Sequence, residues 1–366
     1  MIQLKHLFAS LLTCALLFAA TDATCDPLTI GIPLPLTGAN AAPAQDIQRG
    51  FELGKEILGL TDVTLIFEDD SCDGAKSITA IKKLLDINKV DIISGIMCNT
   101  ALFPAAPLLN RANIPVLTVG ATTGDQVGIG RKIFRLFPAA QEALIPLMPE
   151  MAKYGPRLCV MTETEAYSAL IERAIESQWP SRGGGFKITK ESVNAGVRDF
   201  RTPLLRLHKR GCDSILLNAC GDDGFIASYR QLRTIDATIP VFALFFPGSS
   251  TVQRAFPEGL RRVTYADLAS GGALATARGG EFIKRFKERY GEFLIGSPMA
   301  LLAFEALRLI AESHKQGIPL DQFLRRGPIK DGAIREYTFD SDGAVQGIEF
   351  VVLNAEPPGR SDSPFK

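Results

Sequence analysis

Short apolar runs rich in β-branched residues recur along the chain, and amphipathic stretches separate most of them. The runs predict strands at 28–36, 63–68, 90–96, 114–119, 158–162, 186–193, 214–219 and 239–246. Between two of them, residues 74–88 carry apolar side chains mostly three or four positions apart, as in Ile78, Ile81 and Leu85, which is typical of an amphipathic helix. The alternation of strand and helix predicts crossover units and a mainly parallel sheet.

The pattern occurs twice. One series of strand signals ends at about Phe134, and a second runs from 158 to 246. The runs at 90–96 and 214–219 are apolar without alternation, which is typical of strands covered on both faces. Two α/β lobes are the simplest architecture, and the cleft between such lobes is a favoured ligand site.

The C-terminal part has a different pattern. Residues 279–290 and 298–314 predict two helices with little strand between them. A final β-rich pair, 333–339 and 347–353, flanks the turn-forming segment 340–343, so we expect these two runs to form a hairpin.

The N-terminus has the layout of a secretory signal peptide. Lys5 precedes an apolar run, small residues follow it, and cleavage is predicted after Ala23, so that residues 1–23 are removed. The run is about 14 residues long, short of the roughly 20 that span a bilayer, which makes a membrane anchor the weaker alternative. Cys25 leaves lipidation open, although Asp22 stands where a lipobox favours an aliphatic residue.

The composition and the absence of known motifs argue against several functional classes. The chain is 46% hydrophobic and 22% charged, with 40 basic and 40 acidic residues, so no basic surplus favours nucleic acid. Only three histidines are present, and dinucleotide, phosphate-loop and nucleophile-elbow motifs are absent. We expect no cofactor, no metal and no enzymatic activity. Asp69, Asp70 and Asp73 lack calcium-loop spacing and are interpreted as a solvated strand end rather than a cation site.

Export would bring the remaining cysteines into a compartment where disulfides form. The spacing leaves the pairing of Cys25, Cys159, Cys212 and Cys220 open. Cys212 and Cys220 flank a predicted strand whose ends lie roughly 25 Å apart, too far for a bond between them. We therefore interpret these two as buried thiols.

Two loops are suited to holding an anion. Residues 94–100 join a buried strand to a helix that begins near Ala101, with Asn99 or Thr100 as its predicted N-cap. The unpaired N–H groups and the dipole at such a helix start favour a carboxylate. The next strand ends in 119–123, also at a carboxyl end, where α/β sheets bind ligands. Ordinary capping and turn formation is the alternative interpretation of both loops.

These segments together resemble the type I periplasmic substrate-binding proteins of ABC importers, in the group that binds branched-chain amino acids. The resemblance covers almost all of the mature chain and is carried by 30–38, 68–73, 94–100, 119–123 and 134–135. It implies an α/β fold of two doubly wound parallel-sheet lobes joined by a three-crossing hinge. Lobe 1 would comprise 26–138 and 267–338, and lobe 2 would comprise 139–266 and 339–366.

The resemblance also implies site residues. The cysteines matching Cys72 and Cys98 form a disulfide in the leucine/isoleucine/valine binders, and closing this loop would contribute roughly 3 kcal/mol. The positions that hold the ligand head correspond to Asn99, Thr100, Gly120, Ala121 and Thr122. Tyr167 matches a tyrosine of the second lobe.

The second lobe departs from the family pattern. Its other tyrosine aligns near Cys220, and the glutamate that pairs with the ligand ammonium aligns near Phe246. A buried ammonium without a carboxylate would cost several kcal/mol, so the hypothesis is a carboxylate with an apolar or aromatic body, held by Tyr167 and Phe246. Core packing is the alternative for Phe246. Asp222 or Asp223 would supply the missing charge if the ligand is an amino acid.

The resemblance predicts a periplasmic, monomeric binding protein that delivers its ligand to an inner-membrane permease with a cytoplasmic ATPase. The lobes would close about crossings near Pro138, Asp267 and Phe339. One alternative is a periplasmic sensor of the same fold for amides or related solutes. Another is an enzyme that uses Glu163 and Glu165 near Tyr167 as general acid and base, although exposed-face charges are the simpler interpretation.

Overall fold

The computed structural model describes residues 27–38, 40–121, 129–180, 185–268, 274–294 and 298–355. The predicted signal peptide, Cys25 and Thr122 lie outside the described residues.

Two parallel-stranded sheets form the framework. The first has the order β2-β1-β3-β4-β5, with every pairing parallel. Its strands are β1 (Leu28–Leu34), β2 (Val63–Asp69), β3 (Ile92–Gly95), β4 (Val116–Thr118) and β5 (Ile133–Arg135). This sheet confirms the first predicted series of strands, and its boundaries shift by a few residues.

The second sheet has the order β13-β10-β9-β8-β6-β7 and is parallel except for β13, which runs antiparallel to β10. Its strands are β6 (Arg157–Thr164), β7 (Lys187–Asn194), β8 (Ser214–Asn218), β9 (Val241–Leu244), β10 (Val263–Leu268) and β13 (Phe350–Asn354). The reversal of strand order around β1 and β6 makes both sheets doubly wound, as predicted.

Helices cover the sheets. Those of the described residues are α1 (Ala41–Ile57), α2 (Gly74–Lys82), α3 (Asn99–Ala112), α4 (Leu144–Ala152), α5 (Ala166–Gln178), α6 (Arg201–Arg210), α7 (Asp222–Ile235), α8 (Ser250–Ala255), α9 (Ala277–Tyr290), α10 (Met299–Lys315) and α11 (Leu320–Leu324). A π-helical turn, Lys83–Ile87, extends α2 to nearly the predicted end. Helix α10 packs on α1, which returns the chain to the first lobe after β10.

The C-terminal hairpin prediction was wrong. Strand β11 (Thr338–Phe339) pairs with β12 (Val345–Gln346) around the 340–343 turn, whereas β13 joins the second sheet beside β10. Strand β10 itself was missed. Residues 347–353 carry the apolar pattern of a sheet strand, but a pattern does not identify the partner when a distant strand has an open edge.

Three segments connect the two lobes: those between β5 and β6, between β10 and α9, and between β12 and β13. One apolar core continues through this region, because Phe134 and Leu136 from the first lobe cluster with Phe242 and Leu244 from the second. The fold is therefore the two-lobed, three-crossing α/β architecture that the sequence predicts.

Two disulfides staple the framework. Cys72 and Cys98, with Cα atoms 5.4 Å apart, form the predicted bond. Cys212 bonds to Cys159, with a Cα separation of 5.7 Å, so its interpretation as a buried thiol was wrong. Strands β6 and β8 are neighbours, pairing Leu158 with Ser214, and this brings Cys212 close to Cys159. Cys220 is a free thiol, as predicted.

Candidate ligand-binding site

The start of helix α3 lies at the carboxyl end of β3. Cys98, with extended dihedrals, is the N-cap, so the predicted cap at Asn99 or Thr100 was one or two residues late. The Cys98 carbonyl accepts from the N–H groups of Ala101 and Leu102, and among the described residues no side chain caps this helix. Asn99 is 5% exposed in the first turn. The helix dipole and the first N–H groups make this end favourable for an anion.

Thr100 and Cys72 fix the position of this helix end. The Thr100 hydroxyl donates to the Cys72 carbonyl at 2.8 Å, and Asn40 Nδ2 donates to Cys72 Sγ at 3.3 Å. Together with the Cys72–Cys98 bond, these contacts tie the start of α3 to the loop after β2. The Thr100 side chain is thus engaged with the framework.

The loop after β4 approaches the loop after β3 closely. A Cβ on Gly120 would lie 2.6 Å from Met97 Cγ and 3.1 Å from both Met97 Cα and its carbonyl oxygen. Any larger residue at this position would force Met97 to shift. Ala121 follows and is fully buried in the apolar cluster beside β3 and β4.

Asp70, two residues before Cys72, has a buried carboxyl group. Cys72 N–H donates to its Oδ1 at 2.9 Å, whereas Oδ2 has no hydrogen-bond partner among the described residues. Burial raises the pKa of Asp70 to about 6, and the charge of Asp69 adds to the effect. The interpretation of this strand end as solvated is wrong for Asp70. Asp73 is the N-cap of α2.

Tyr167 lies in the first turn of α5, at the carboxyl end of β6. Its ring contacts those of Phe245 and Phe246, with centroids 6.3 and 6.4 Å away. Its hydroxyl oxygen is buried and has no hydrogen-bond partner among the described residues. Burial, followed by the neighbouring Cys220, Asp267 and Glu165, holds the pKa of Tyr167 well above its usual value.

Two phenylalanines follow β9. Phe246 is half-buried, packs against the apolar cluster of the second lobe and meets Tyr167 edge-on. Phe245, which the sequence reasoning passed over, has φ 57° and ψ −57°, a conformation that bulky residues rarely adopt. Its ring contacts Phe137, in the segment between β5 and β6, and Phe350, the first residue of β13, with centroids 5.8 Å away in both cases.

The other acidic candidates of the second lobe are engaged locally. Asp222 begins α7 and accepts hydrogen bonds from Ser249 and Thr251, which oppose the burial that raises its pKa. Glu163 accepts from the N–H groups of Cys220 at 2.8 Å and Gly196 at 3.2 Å.

Two further groups beside Tyr167 have structural explanations. Glu165 is the N-cap of α5 and accepts from the Tyr167 N–H at 2.8 Å. The thiol of Cys220 contacts Ser168 Oγ at 3.0 Å, and burial raises its pKa to about 12.

Asp267 is the acidic residue that the sequence reasoning named only as a hinge position. It is 1% exposed and stands at the carboxyl end of β10, next to the segment that begins with Phe245. Its Oδ1 accepts from the Leu268 N–H at 2.7 Å. The sequence pattern did not predict β10, and without that strand the position of Asp267 at the carboxyl end of the sheet could not be recognised.

The elements that carry the two sets of residues are in contact. Helices α3 and α5 contact each other, and Met97 and Tyr167 pack against the same apolar cluster. The region between these elements is the candidate cleft, with a helix start and a glycine loop from the first lobe and aromatic side chains from the second.

A separate cavity of about 490 Å³ opens between α9 and α10, away from this cleft. Its walls are Arg278, Arg308, Glu312, Lys315, Gln316 and Asp331. Arg308 is bound by Glu305 and Glu312, so the charges there neutralise one another. Within the described part of the chain, no group of three or more His, Cys, Asp or Glu side chains is placed to hold a metal ion. None of the described helices is both long and apolar enough to cross a membrane.

These features describe a two-lobed α/β protein with two mainly parallel sheets joined by three connections. The family profile described as periplasmic binding protein matches residues 27–322. The chain belongs to this family of periplasmic binding proteins.

Known relatives agree with this assignment. A Leu/Ile/Val-binding protein homolog of Brucella melitensis is 24% identical over 254 residues, which cover 64% of this chain and 66% of that protein. The match thus spans slightly less than two thirds of the relative's length.

Solved structures share the fold. A leucine binding protein from Thermotoga maritima superposes with a TM-score of 0.80 at 19% identity, covering 91% of this chain and 96% of that chain. An ABC transporter solute-binding protein from R. palustris in complex with benzoate gives a TM-score of 0.77 at 15% identity, covering 90% and 93%.

Proposed function

We propose that this chain is the extracytoplasmic solute-binding component of an ABC uptake system. It binds a small carboxylate between its lobes and delivers it to an inner-membrane permease that a cytoplasmic ATPase drives. The observation that carries this proposal is the opposition of the α3 start and the Gly120 loop to the aromatic wall of Tyr167 and Phe246. One side favours an anion and the other an apolar body.

The roles divide between the lobes. Backbone groups at Asn99, Thr100 and Gly120, continued through Ala121 and Thr122, receive the carboxylate head. Tyr167 and Phe246 enclose the body of the ligand, and Asp222 is the proposed acidic group for a ligand that carries an amine. Its engagement with Ser249 and Thr251 makes it a less available partner.

Closure of the lobes completes binding. We assign 26–138 and 267–338 to lobe 1 and 139–266 and 339–366 to lobe 2, with the crossings near Pro138, Asp267 and Phe339 as hinges. A signal peptide at 1–23 directs the chain to the periplasm, where it acts as a monomer. Small dihedral changes at three crossings rotate whole lobes without disturbing their sheets.

The relatives support a carboxylate as the common chemistry. Their names specify leucine, isoleucine or valine in some cases and benzoate in another, and all of these ligands combine a carboxylate with an apolar body. Glu163 and Glu165, the groups that an enzyme of this fold would use, are occupied by backbone N–H donors. This supports binding rather than turnover.

A thermal-shift panel tests the proposal on the mature protein. It would include leucine, valine, benzoate, 4-hydroxybenzoate, phenylpyruvate and 4-methyl-2-oxopentanoate, with acetamide for the sensor alternative. We expect at least one acid with an apolar or aromatic body to raise Tm in a concentration-dependent way, because a ligand that binds only the folded state stabilises it. Stabilisation by leucine or valine, with none by the aromatic or keto acids, would contradict a ligand that lacks the amino group. Stabilisation by the amide alone would contradict the carboxylate.

A further inference from the structure

The loop between α9 and α10 contacts the second lobe through two hydrogen bonds. The Leu294 carbonyl accepts from the Ser250 N–H at 3.0 Å and from Ser250 Oγ at 2.7 Å. Ser250 lies between β9 and β10 of the second sheet, whereas Leu294 lies between two helices assigned to the first lobe. Both residues are outside the three segments that connect the lobes, so these bonds are a separate contact between the lobes.

On the first lobe, two side chains fix the position of Leu294. The carboxylate of Asp46, which is fully buried on α1, accepts from the Leu294 N–H at 2.6 Å. The preceding residue, Phe293, packs against the fully buried ring of Phe286 on α9, with centroids 4.8 Å apart. The accepting carbonyl is therefore attached to two helices of the first lobe.

On the second lobe, Ser250 is the first residue of α8. Ser249, the N-cap, is 1% exposed and accepts from the Val252 N–H at 3.2 Å. Val252 is fully buried in the apolar cluster of this lobe, which fixes the helix. The N–H of a first helical residue has no partner within its own helix, and the Leu294 carbonyl supplies one.

The two bonds join protein groups only, so they form without help from a ligand. Rotation of the lobes away from each other would separate Ser250 from Leu294 and break both. We propose that this contact, here called the interlobe latch, keeps closed lobes populated in the ligand-free protein and slows the release of bound ligand. The inference rests on the proposed function, because it assigns a control to the lobe movement described there.

The expected size of the effect follows from the number of bonds. One neutral hydrogen bond changes an equilibrium constant by about fivefold, and two independent ones would change it by about 25-fold. Because a ligand leaves through the open arrangement, weakening the latch should raise the dissociation rate constant by the same factor.

Ser250→Pro removes both bonds and keeps the helix start. Proline has neither an N–H nor a hydroxyl, and it is favoured at the first position of a helix. The preceding residue, Ser249, has φ −71° and ψ 143°, the conformation that a following proline favours. Ser250→Ala removes only the bond from the hydroxyl.

Two control variants isolate the latch. Ser177→Ala removes a serine hydroxyl that donates at 3.0 Å to the Ala174 carbonyl of its own helix, within the second lobe. Arg254→Ala removes the contact from Arg254 Nη1 to Ser250 Oγ, at 3.2 Å, which is lost in both Ser250 variants. Both controls should behave like the wild type. If Arg254→Ala matches Ser250→Ala, the latch is not the cause and the inference is overturned.

Small-angle X-ray scattering of the dialysed mature protein, with no ligand added, reports on lobe opening. We expect a larger radius of gyration for Ser250→Pro than for the wild type, because loss of the latch shifts the population toward open lobes. Ser250→Ala should lie between the two. An equal radius of gyration for Ser250→Pro and the wild type overturns the inference.

Stopped-flow measurement of ligand release gives the second test, with whichever of leucine, benzoate and 4-hydroxybenzoate binds. The dissociation rate constant should rise about fivefold in Ser250→Ala and about 25-fold in Ser250→Pro. A change below about twofold in Ser250→Pro overturns the inference and leaves the proposed function intact.

The outcomes separate the two proposals. If no acid of the thermal-shift panel binds, the proposed function fails, and the scattering comparison still decides whether the latch holds the lobes. Should Ser250→Pro not fold, as judged by circular dichroism, Ser250→Ala takes its place. An unchanged radius of gyration in that variant overturns the inference.

Discussion

The two sides of the proposed ligand cleft are built from different parts of the polypeptide. On the first lobe, the wall is main chain: the start of α3 and the Gly120 loop pressed against Met97. On the second lobe, it is side chain: Tyr167 and Phe246. Main-chain groups are the same whatever the residue, so the first wall suits any carboxylate. Selectivity among carboxylates must then come from the second wall.

The largest expected effects come from removing each disulfide separately, because each bond lies in a different lobe. Replacing Cys159 and Cys212 by serine opens a loop with a sequence separation of 53 residues and should lower the free energy of unfolding by about 4 kcal/mol. Replacing Cys72 and Cys98, with a separation of 26, should lower it by about 3 kcal/mol. Urea unfolding of the oxidised proteins measures both.

Ligand affinity should distinguish the two variants. Cys98 is the N-cap of α3, so loss of its bond loosens the main-chain wall, whereas the Cys159–Cys212 bond lies within the second lobe below the cleft. We expect weaker binding of the best acid only for the Cys72/Cys98 variant. An equal loss of ligand affinity in both variants would show that the Cys72–Cys98 disulfide has no specific role in holding the binding loops.

Gly120→Val should nearly abolish binding. The new side chain would collide with Met97 Cγ and crowd the Met97 main chain, so the loop that precedes α3 would have to shift. We expect the Kd of the best acid to rise more than about 100-fold, equivalent to about 2.7 kcal/mol. Gly280→Val is the control, because no atom lies within 4 Å of a Cβ at that helical position. An intact affinity for Gly120→Val would remove the main-chain wall from the site.

The buried carboxyl of Asp70 predicts that the free energy of unfolding depends on pH. The pKa of Asp70 is raised from 3.8 to about 6, so the folded state binds more protons than the unfolded state between these values. Its contribution is therefore most favourable at low pH and is lost as pH rises through 6. From pH 5 to pH 7.5, this group should lower the free energy of unfolding by about 1.4 kcal/mol.

Asp70→Asn should remove that slope. Asparagine keeps the oxygen that accepts from the Cys72 N–H but does not ionise. Urea unfolding at the two pH values measures the difference between variant and wild type. Asp86→Asn, at an exposed position on the same lobe, should leave the slope unchanged. An identical slope in Asp70→Asn and wild type would contradict the assignment.

Thr100→Val is the mildest change. It removes the hydrogen bond to the Cys72 carbonyl and should cost about 1 kcal/mol, with a loss of affinity below about fivefold, because the disulfide still holds the helix. Thr79→Val removes a similar bond, to the Ala75 carbonyl on α2. The control should lose no affinity. A larger loss for Thr100→Val would mean that the hydroxyl itself contacts the ligand.

Local patterns predicted most of the fold. Strands β3 and β8 lie in apolar runs without alternation, and this pattern predicted that they are covered on both faces. The pairing of strands and cysteines that lie far apart in the sequence could not be predicted in this way. Whether residues 350–354 meet a neighbouring hairpin strand or β10 depends on which sheet edge is open, and the Cys159–Cys212 bond depends on strand order. Neither is encoded within a short window.

In the candidate site, too, local features were predicted and long-range contacts were missed. The helix start after β3 was predicted because a helix start at a strand end has a recognisable sequence, although the capping residue is Cys98. The position of Asp267 at a strand end was missed because β10 was missed. Phe245 was missed because its contacts are with Phe137 and Phe350, which lie far away in sequence.

Phe245 has one further consequence. Its ring contacts Phe137, in the segment between β5 and β6, Phe350, the first residue of β13, and Tyr167. If the lobes rotate as proposed, this ring must move against its neighbours, and the aromatic side of the candidate cleft would change shape in the same movement. The unusual main-chain angles of Phe245 would then lie where lobe movement and ligand release are coupled.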